Sequence, residues 1–266
     1  MGVLSNKIER GELKPGDHIY SWRNSYLYAH HGYALLPSFH LLSNTLHQSI
    51  LFLVQSLIFA ICVGIYAGGN KVIHFTRGAG HEIGTGTVLD NVIFSSPTSR
   101  ASGDLCPACG DQSASNGVIC SCLDCFLAGG ELYLFEYSVS IPFFLAKTRG
   151  GTCTLASSDP PDDVLHRASL LLESGFGGYC LFKNNCEDFA IYCKTGYLIF
   201  TNLSVGRSGQ AASFMAAVSA AAASPLRFLV SSSGGIAVLA YGMYSAGRVV
   251  SDIGMRRDAV RSEEHT

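Results

Sequence analysis

The distribution of charged side chains constrains this chain more than any other feature of its sequence. Between Arg23 and Lys71 lie 47 residues without one Asp, Glu, Lys or Arg, and from Ser208 to Gly247 only Arg227 is charged. Charged residues make up 14% of the 266 residues, against about 25% in an ordinary soluble domain. Two uncharged blocks therefore interrupt a chain whose remainder has a nearly normal charge content.

Composition excludes two classes of protein. Hydrophobic residues make up 48% and aromatic residues 11% of the chain, which is far more apolar surface than disordered chains carry. The formal net charge of −2 argues against nucleic-acid binding, because that binding depends on a basic surface. The sequence therefore predicts a globular protein with no nucleic-acid partner.

The amino terminus and the cysteines bear on the compartment. The first residues, MGVLSNKIERGEL, contain no apolar segment directly after their basic residues, so no cleaved secretory signal is expected. The ten cysteines of such a chain are better explained as thiols, metal ligands or a nucleophile than as disulfides. We therefore expect a cytoplasmic protein.

Local patterns predict strands early in the chain and helices later. The predicted strands cover residues 18–22, 65–67, 71–75 and 132–137, the middle two joined as a hairpin by a Gly-Gly-Asn turn. Prolines and acids at 159–163 start a helix that Gly175 ends, and a second helix is expected from about Asn185 to Gly196. Strands followed by helices predict an α+β domain.

Cys186 is the candidate nucleophile. It stands in the segment KNNCEDF (183–189), within the first turn of the second predicted helix, where backbone N–H groups and the helix dipole favour the thiolate. Candidates for the base are His30, His31 and His74, because a Cys–His pair with a third polar group is a general arrangement for acyl transfer. From spacing alone, a buried packing cysteine is the simpler explanation.

Five short segments occur in a characteristic order along the chain. They are KPGDHI (14–19), YAHHG (28–32), IYAG (65–68), VIHF (72–75) and NCEDF (185–189). Together they resemble the LRAT (lecithin:retinol acyltransferase-like) domain, and most of all that of plant LRAT-domain proteins, over about residues 10 to 200. The resemblance implies a circularly permuted NlpC/P60-like α+β fold, in which an antiparallel sheet packs against helices.

The resemblance also implies a reaction. Cys186 would be the nucleophile, His30 the general base and His74 the second histidine that orients or polarises it. His31 competes with His30, because the family histidine lies three residues before the Ile-Tyr pair and an intervening segment disturbs that count. The thiolate would attack an ester carbonyl of a glycerophospholipid without a metal, and the acyl thioester would pass to an alcohol, an amine or water, as in an acyltransferase or phospholipase A. Many animal members carry His where this chain has Asp188, whose carboxylate is expected to raise the thiol pKa.

Two Cys-x-x-Cys pairs form a candidate metal site. Cys106 and Cys109 make the first pair and Cys122 and Cys125 the second, with Cys120 as a further thiol. Each pair can offer two thiolates to one tetrahedral ion, although the separation of the pairs is shorter than in usual zinc ribbons. Structural zinc and free surface thiols both remain open. Thiolates also accept other thiophilic ions, which offers a physical route to the lead association that the resemblance to plant LRAT-domain proteins implies. The alternative to catalysis is therefore an LRAT-fold binding or regulatory protein in metal stress, including lead.

The first uncharged block interrupts the family pattern. Deleting residues 33–64 joins Gly32 to Ile65 and restores HHGIYAG. We interpret 33–64 as an aberrant apolar insertion, a retained intron or a gene-model error joined in frame. The alternatives are a transmembrane helix over 49–68, about the length that a bilayer requires, and an apolar hairpin lying against a membrane. The lack of flanking positive charge before Lys71 favours the intron.

The second uncharged block belongs to an Ala- and Ser-rich tail. The expected organisation is an LRAT-like domain over 1–200 with a Cys-rich loop at 106–125, a tail over 201–255 and a disordered terminus over 256–266. Pro225 and Gly234-Gly235 are expected to break the tail into weak helices. These helices either pack on the domain or contact a membrane peripherally, with Arg227 and Arg248 at the interface.

Overall fold

The computed structural model describes residues 6–24, 59–76, 106–110, 112, 115–147, 150–179, 184–199 and 233–262. The strands of the main sheet are His18–Asn24 (β1), Phe59–Gly68 (β2), Lys71–Thr76 (β3), Gly117–Cys122 (β4) and Tyr133–Leu134 (β5). They pair in the order β4-β3-β2-β1-β5, and every pair is antiparallel. This sheet packs against helices, so the predicted α+β class with an antiparallel sheet is confirmed.

Helices and a second small sheet complete the described fold. The helices are Leu123–Leu127 (α1), Ile141–Ala146 (α2), Pro161–Ser174 (α3), Cys186–Thr195 (α4) and Ser233–Ser251 (α5), preceded by a 3-10 turn at Arg10–Glu12. The second sheet pairs Tyr197–Ile199 (β6) with Ala259–Arg261 (β7). Both helices predicted from the sequence are confirmed, and they end as expected at Gly175 and Gly196. The segment expected as a Cys-rich loop, 106–125, contains β4 and the first turn of α1.

The predicted hairpin of β2 and β3 is also confirmed. All three residues of its turn, Gly68, Gly69 and Asn70, have positive φ angles, which explains the Gly-Gly-Asn sequence. At the other end of the ladder Gly64 pairs with His74. A Cβ on Gly64 would lie only 2.6 Å from Val72 Cγ1 and 3.0 Å from His74 Cβ. The two strands therefore approach each other there too closely for any residue but glycine.

Side chains that alternate along these strands divide between two cores. The larger core lies between the sheet and helices α3 and α4, and its strand members include Tyr20, Val63, Ile65, Ile73 and Phe75. The smaller core lies on the side of α1, and its buried strand members are Ile19, Cys62 and Val72. Because alternate residues of a strand face opposite sides, His74 belongs to the face of Val72.

A buried arginine connects the helical layer. The Arg167 side chain on α3 is 1% exposed, and its Nη2 lies 2.7 Å from the Asp159 carboxylate. Its Nη1 donates to the carbonyl of Cys193 on α4 at 2.9 Å. Arg261 on β7 also donates to Asp159, at 3.1 Å. The sequence predicts disorder from residue 256 onward, whereas these contacts and the β6–β7 pairing give residues 259–261 a defined position.

Helix α5 bears on two expectations about the tail. Gly234 and Gly235, expected to break the tail, lie in the first turn of the helix, and the residues directly before Ser233 lie outside the described residues. Arg248, expected at a membrane interface, is 4% exposed. Its guanidinium donates to the carbonyl of Lys147 and lies 4.5 Å from the centre of the Phe144 ring. Arg248 therefore holds α5 against the chain around α2, while Arg227 lies outside the described residues.

Only the end of the proposed insertion falls within the described residues. Residues 59–64 form the first half of β2, which pairs with β1 from Asn24↔Phe59 to His18↔Ile65. The second half of the 49–68 segment is therefore a strand and not a helix. In the described ranges of the chain, no helix combines the length and the apolar character that a membrane span requires. Whether 33–64 is an aberrant insertion stays a prediction.

Gly64→Ala should destabilise the protein by about 1–3 kcal/mol, because the added methyl would overlap Val72 and His74 in a packed sheet. The midpoint of urea unfolding measures this change. Gly11→Ala is the matched control, since no atom lies within 4 Å of a Cβ added there, and it should change stability by less than about 0.5 kcal/mol. Equal midpoints for the two variants would contradict the close approach of β2 and β3.

Candidate functional site

The NCEDF motif builds the start of α4. Asn185 is the N-cap, and its Oδ1 accepts hydrogen bonds from the backbone N–H groups of Glu187 at 2.9 Å and Asp188 at 3.1 Å. Asp188 Oδ2 accepts in return from the backbone N–H of Asn185 at 3.1 Å. This reciprocal arrangement is a capping box. It fixes Cys186 as the first helical residue and gives Asp188 a structural role.

The Cys186 thiol lies where α4 meets β2. Cys186 is 5% exposed and belongs to the larger core, between the sheet and the helices. The backbone N–H of Val63 and the side chain of Tyr179 both form hydrogen bonds to the sulfur. Val63 directly precedes Gly64, which is the β2 residue farthest from the hairpin turn that still pairs with β3. The sulfur is therefore held at the end of the β2–β3 ladder.

The protonation of this thiol differs from the sequence expectation. Burial raises the pKa of Cys186 well above its ordinary value, and the Cys62 thiol and the Glu187 carboxylate raise it further. The hydrogen bonds from Val63 and Tyr179 lower it by less. The neighbouring carboxylate that acts on the thiol is thus Glu187, where the sequence suggested Asp188. The resting cysteine is a neutral thiol, so nucleophilic attack requires a base that removes its proton.

His74 lies at the same end of the ladder as Cys186. It is 7% exposed, its Nε2 is 2.8 Å from Ser121 Oγ, and its ring makes an edge contact with Phe126 at 5.4 Å. Phe126 belongs to the smaller core. Cys186 contacts Val63, and His74 pairs with the next β2 residue, Gly64. The structure thus brings Cys186 and His74 to neighbouring positions on β2, although their side chains lie on opposite sides of the sheet.

The predicted base, His30, and its competitor, His31, lie outside the described residues. The strand position three residues before Ile65, where the family histidine is expected, is occupied by Cys62. Cys62 is 9% exposed and near enough to Cys186 to affect its pKa. It shares a sheet face with His74, since both alternate with residues of the larger core. Counting back from the Ile-Tyr pair in the contiguous sequence would have identified Cys62.

The four predicted metal ligands lie together. The sulfurs of Cys106, Cys109, Cys122 and Cys125 all lie within 4.8 Å of one another, and the Cys106 and Cys122 sulfurs are 3.8 Å apart. Four sulfurs at about 2.3 Å from a tetrahedral zinc ion would be separated by about 3.8 Å. The cluster therefore has the dimensions of a four-thiolate metal site.

Backbone N–H groups stabilise negative charge at this cluster. The N–H of Ala108, the side chain of Cys125 and the N–H of Cys109 together lower the pKa of Cys106 to about 6. The N–H of Cys122 donates to Cys109 Sγ at 3.0 Å. Burial raises the pKa values of Cys109 and Cys125. One thiolate is thus present at neutral pH, and an incoming cation would displace protons from the others.

The fifth thiol of this region does not belong to the cluster. Cys120 lies two residues before Cys122 on β4 and packs against the larger core. Cys122, in contrast, ends β4 and caps α1, with its sulfur accepting from the N–H of Cys125 at 3.4 Å. The end of the strand and the start of the helix therefore bring the second pair of ligands together.

Two comparisons with known proteins found matches. The family model described as "Lecithin retinol acyltransferase" matches residues 59–199, a range that includes β2, His74 and Cys186. A relative from Arabidopsis thaliana named "Protein LEAD-SENSITIVE 1" is 49% identical over 264 residues, which cover 99% of this chain and 89% of the relative. No solved structure matches the chain. By these matches the chain belongs to the lecithin retinol acyltransferase (LRAT) family and is a plant LRAT-domain protein.

Proposed function

We propose that this protein is an LRAT-type thiol acyltransferase or phospholipase A that acts on glycerophospholipid esters. The observation that carries the proposal is the position of Cys186, whose sulfur contacts β2 beside the Gly64↔His74 pair. A helix start that presents a cysteine to a hairpin carrying a histidine on its second strand is an arrangement suited to acyl transfer. The acyltransferase family to which the chain belongs supports the same assignment.

The neutral state of the thiol determines the first step. A base accepts the Cys186 proton as the sulfur attacks the ester carbonyl carbon, and the protonated base then returns that proton to the departing lysophospholipid oxygen. The products of this half-reaction are an acyl thioester and a lysophospholipid. Water, an alcohol or an amine then attacks the thioester, and its proton passes through the base to the cysteine. Each half-reaction requires a base next to Cys186.

Strand alternation favours His30 over His31 as that base. In a chain lacking residues 33–64, hereafter the shortened chain, residues 27–32 would take the β2 positions now held by 59–64. His30 would then occupy the position of Cys62, on the sheet face of His74, whereas His31 would occupy the position of Val63, which faces the larger core. A histidine at the Cys62 position would lie near the Cys186 thiol.

Removal of residues 33–64 also preserves the glycine that the close approach of β2 and β3 requires. Gly32 of the shortened chain would take the position of Gly64, where a Cβ would meet Val72 Cγ1 at 2.6 Å. A deletion that ended at residue 64 but began elsewhere in the uncharged block would place a side chain there, since Gly32 is the only other glycine of that block before Gly64. We therefore propose that the active form lacks residues 33–64, and that the chain with this segment carries a thiol where the base belongs.

A lipid substrate also requires contact with a membrane surface. Ile141 on α2 is 48% exposed and Tyr241 on α5 is 47% exposed. Tyr241 bonds to the carbonyl of Leu145 at the end of α2, so the two helices form one surface. This surface is the proposed site of peripheral membrane contact.

A second candidate function rests on the four-cysteine cluster. Its sulfur separations fit a tetrahedral ion, and thiolate ligands favour zinc and other thiophilic cations such as lead. The Arabidopsis relative carries lead sensitivity in its name. In this alternative, the protein is a non-catalytic LRAT-fold binding or regulatory module in metal stress. With either function we propose zinc as the resident structural ion.

The shortened chain, incubated with phosphatidylcholine vesicles, should accumulate an acyl group on the Cys186 peptide, which mass spectrometry detects. The chain with residues 33–64 should form this adduct at least about a hundredfold more slowly, because a general base contributes about 10²–10⁴ in rate. Cys62→His in the longer chain should recover part of the difference. Cys186→Ala should abolish the adduct and Cys193→Ala, a second buried cysteine of α4, should not. An adduct that persists in Cys186→Ala would eliminate the nucleophile.

Tyr179→Phe should slow alkylation of Cys186 by iodoacetamide about fivefold at neutral pH. The hydrogen bond from Tyr179 lowers the pKa of this buried thiol, so its loss should leave less thiolate. Peptide-resolved mass spectrometry over time gives the rate. Tyr241→Phe, at an exposed tyrosine, is the control and should leave the rate unchanged. A faster reaction in Tyr179→Phe would show that the tyrosine does not support the thiolate.

Purified protein should contain one zinc ion per chain. Cys106→Ser and Cys125→Ser should each lose it, because a structural tetrahedral site needs all four ligands. Cys120→Ser should retain the ion, since Cys120 faces the core and not the cluster. Elemental analysis of the three variants measures the difference. Zinc retained equally in all variants would place the ion elsewhere, and its absence from the unmodified protein would refute the structural zinc.

A further inference from the structure

We propose that Gln112 and Ser121 are positioning residues that fix the tautomer of His74, and that the four-cysteine cluster holds them in place. A catalytic role for this tautomer rests on the proposed function, whereas the hydrogen bonds that fix the tautomer are independent of it. Its three members lie on separate parts of the fold: His74 on β3, Ser121 on β4, and Gln112 between the two cysteine pairs in sequence.

The direction of each hydrogen bond follows from the groups involved. Gln112 Nε2 donates to the carbonyl of Cys120 at 2.9 Å. A carbonyl can only accept, so this contact orients the amide and leaves Gln112 Oε1 towards Ser121, at 2.6 Å from its hydroxyl oxygen. Because Oε1 can only accept, the single hydroxyl proton of Ser121 must be donated to it.

The hydroxyl of Ser121 therefore has only a lone pair to offer His74. His74 Nε2 lies 2.8 Å from Ser121 Oγ, and this contact is a hydrogen bond only if Nε2 carries the proton. A neutral imidazole with its proton on Nε2 has an acceptor at Nδ1. That tautomer can accept an N–H from a second imidazole, which is what a histidine that orients the base must do.

Burial strengthens the hydrogen bonds that link Gln112, Ser121 and His74, here called the relay. Ser121 is 3% exposed and His74 is 7% exposed, so neither group can readily exchange its partner for water. Hydrogen bonds in such surroundings are stronger than in water, and leaving one member unsatisfied is costly. The orientation of a single amide, that of Gln112, is thus transmitted to the ring of His74.

The cysteine cluster controls the position of Gln112. Gln112 follows Cys109 by three residues, and Ser121 directly precedes Cys122. Apart from the relay, the backbone N–H of Cys122 joins these segments by donating to Cys109 Sγ at 3.0 Å. An ion bound by all four sulfurs would fix the two segments relative to each other. Metal binding at the cluster should therefore stabilise the tautomer of His74, and the two sites should be coupled.

The test is the tautomer of His74, read from ¹⁵N chemical shifts of the full chain labelled at histidine and loaded with one equivalent of zinc at alkaline pH. We expect the proton on Nε2. Gln112→Met should shift the tautomer ratio about fivefold towards Nδ1–H, as expected for the loss of one hydrogen bond. Gln112→Glu, which keeps an acceptor for Ser121, should retain the Nε2–H form. Ser140→Ala, at an exposed serine that caps α2, should leave it unchanged.

Two results would overturn the proposal. The first is a His74 tautomer with its proton on Nδ1 in the unmodified protein, or an unchanged tautomer ratio in Gln112→Met. Gln112 is partly exposed, and the amide spectrum of the variant checks that it folds. The second is a cluster that does not bind zinc, or whose zinc has no effect on the tautomer ratio, since either result would refute the coupling. We expect instead that chelation of zinc, or Cys106→Ser, shifts the ratio in the same direction as Gln112→Met. No substrate is present, so the outcome is independent of whether acyl transfer occurs.

Discussion

The close approach of β2 and β3 at Gly64 is the contact on which the site depends. No Cβ fits there, because Val72 and His74 occupy the space that a side chain would need. The pair Gly64↔His74 ends the ladder, and the next β2 residue, Val63, turns its N–H to the Cys186 sulfur. The hairpin thereby sets the positions of Cys186, the proposed nucleophile, and of His74. The capping box of α4 delivers the cysteine to this place from the helical side.

Two cysteines of this protein illustrate opposite electrostatic outcomes. A helix start favours a thiolate by about 0.3–1 kcal/mol, whereas full burial shifts a pKa by up to about 3–5 units at about 1.4 kcal/mol per unit. Burial therefore prevails at Cys186, and its pKa is raised. Cys106 is more exposed and receives backbone N–H groups, so its pKa falls to about 6. The first cysteine needs a base before it can react, while the second is ready to bind a cation.

Much of the fold could be predicted from the sequence because local signals were strong. The Gly-Gly-Asn turn and the glycines after α3 and α4 mark their elements directly. The hydrogen bonds at the Cys186 sulfur could not be predicted, since Val63 and Tyr179 are distant in sequence and their types are ordinary. Arg248 was misjudged, because its burial against Phe144 depends on tertiary packing. The grouping of four cysteines followed from their spacing, but the Gln112 relay depends on side-chain geometry that spacing does not encode.

In the proposed mechanism, the strand position three residues before Ile65 belongs to the catalytic base. A crystal structure of the chain lacking residues 33–64 tests it most directly. If His30 is the base, residues 27–32 should pair with β1 as 59–64 do, Gly32 should lie opposite His74, and the His30 ring should be within hydrogen-bond reach of the Cys186 sulfur, about 3–3.5 Å away. A structure in which residues 27–32 leave the sheet, or in which His31 occupies that position, would contradict it.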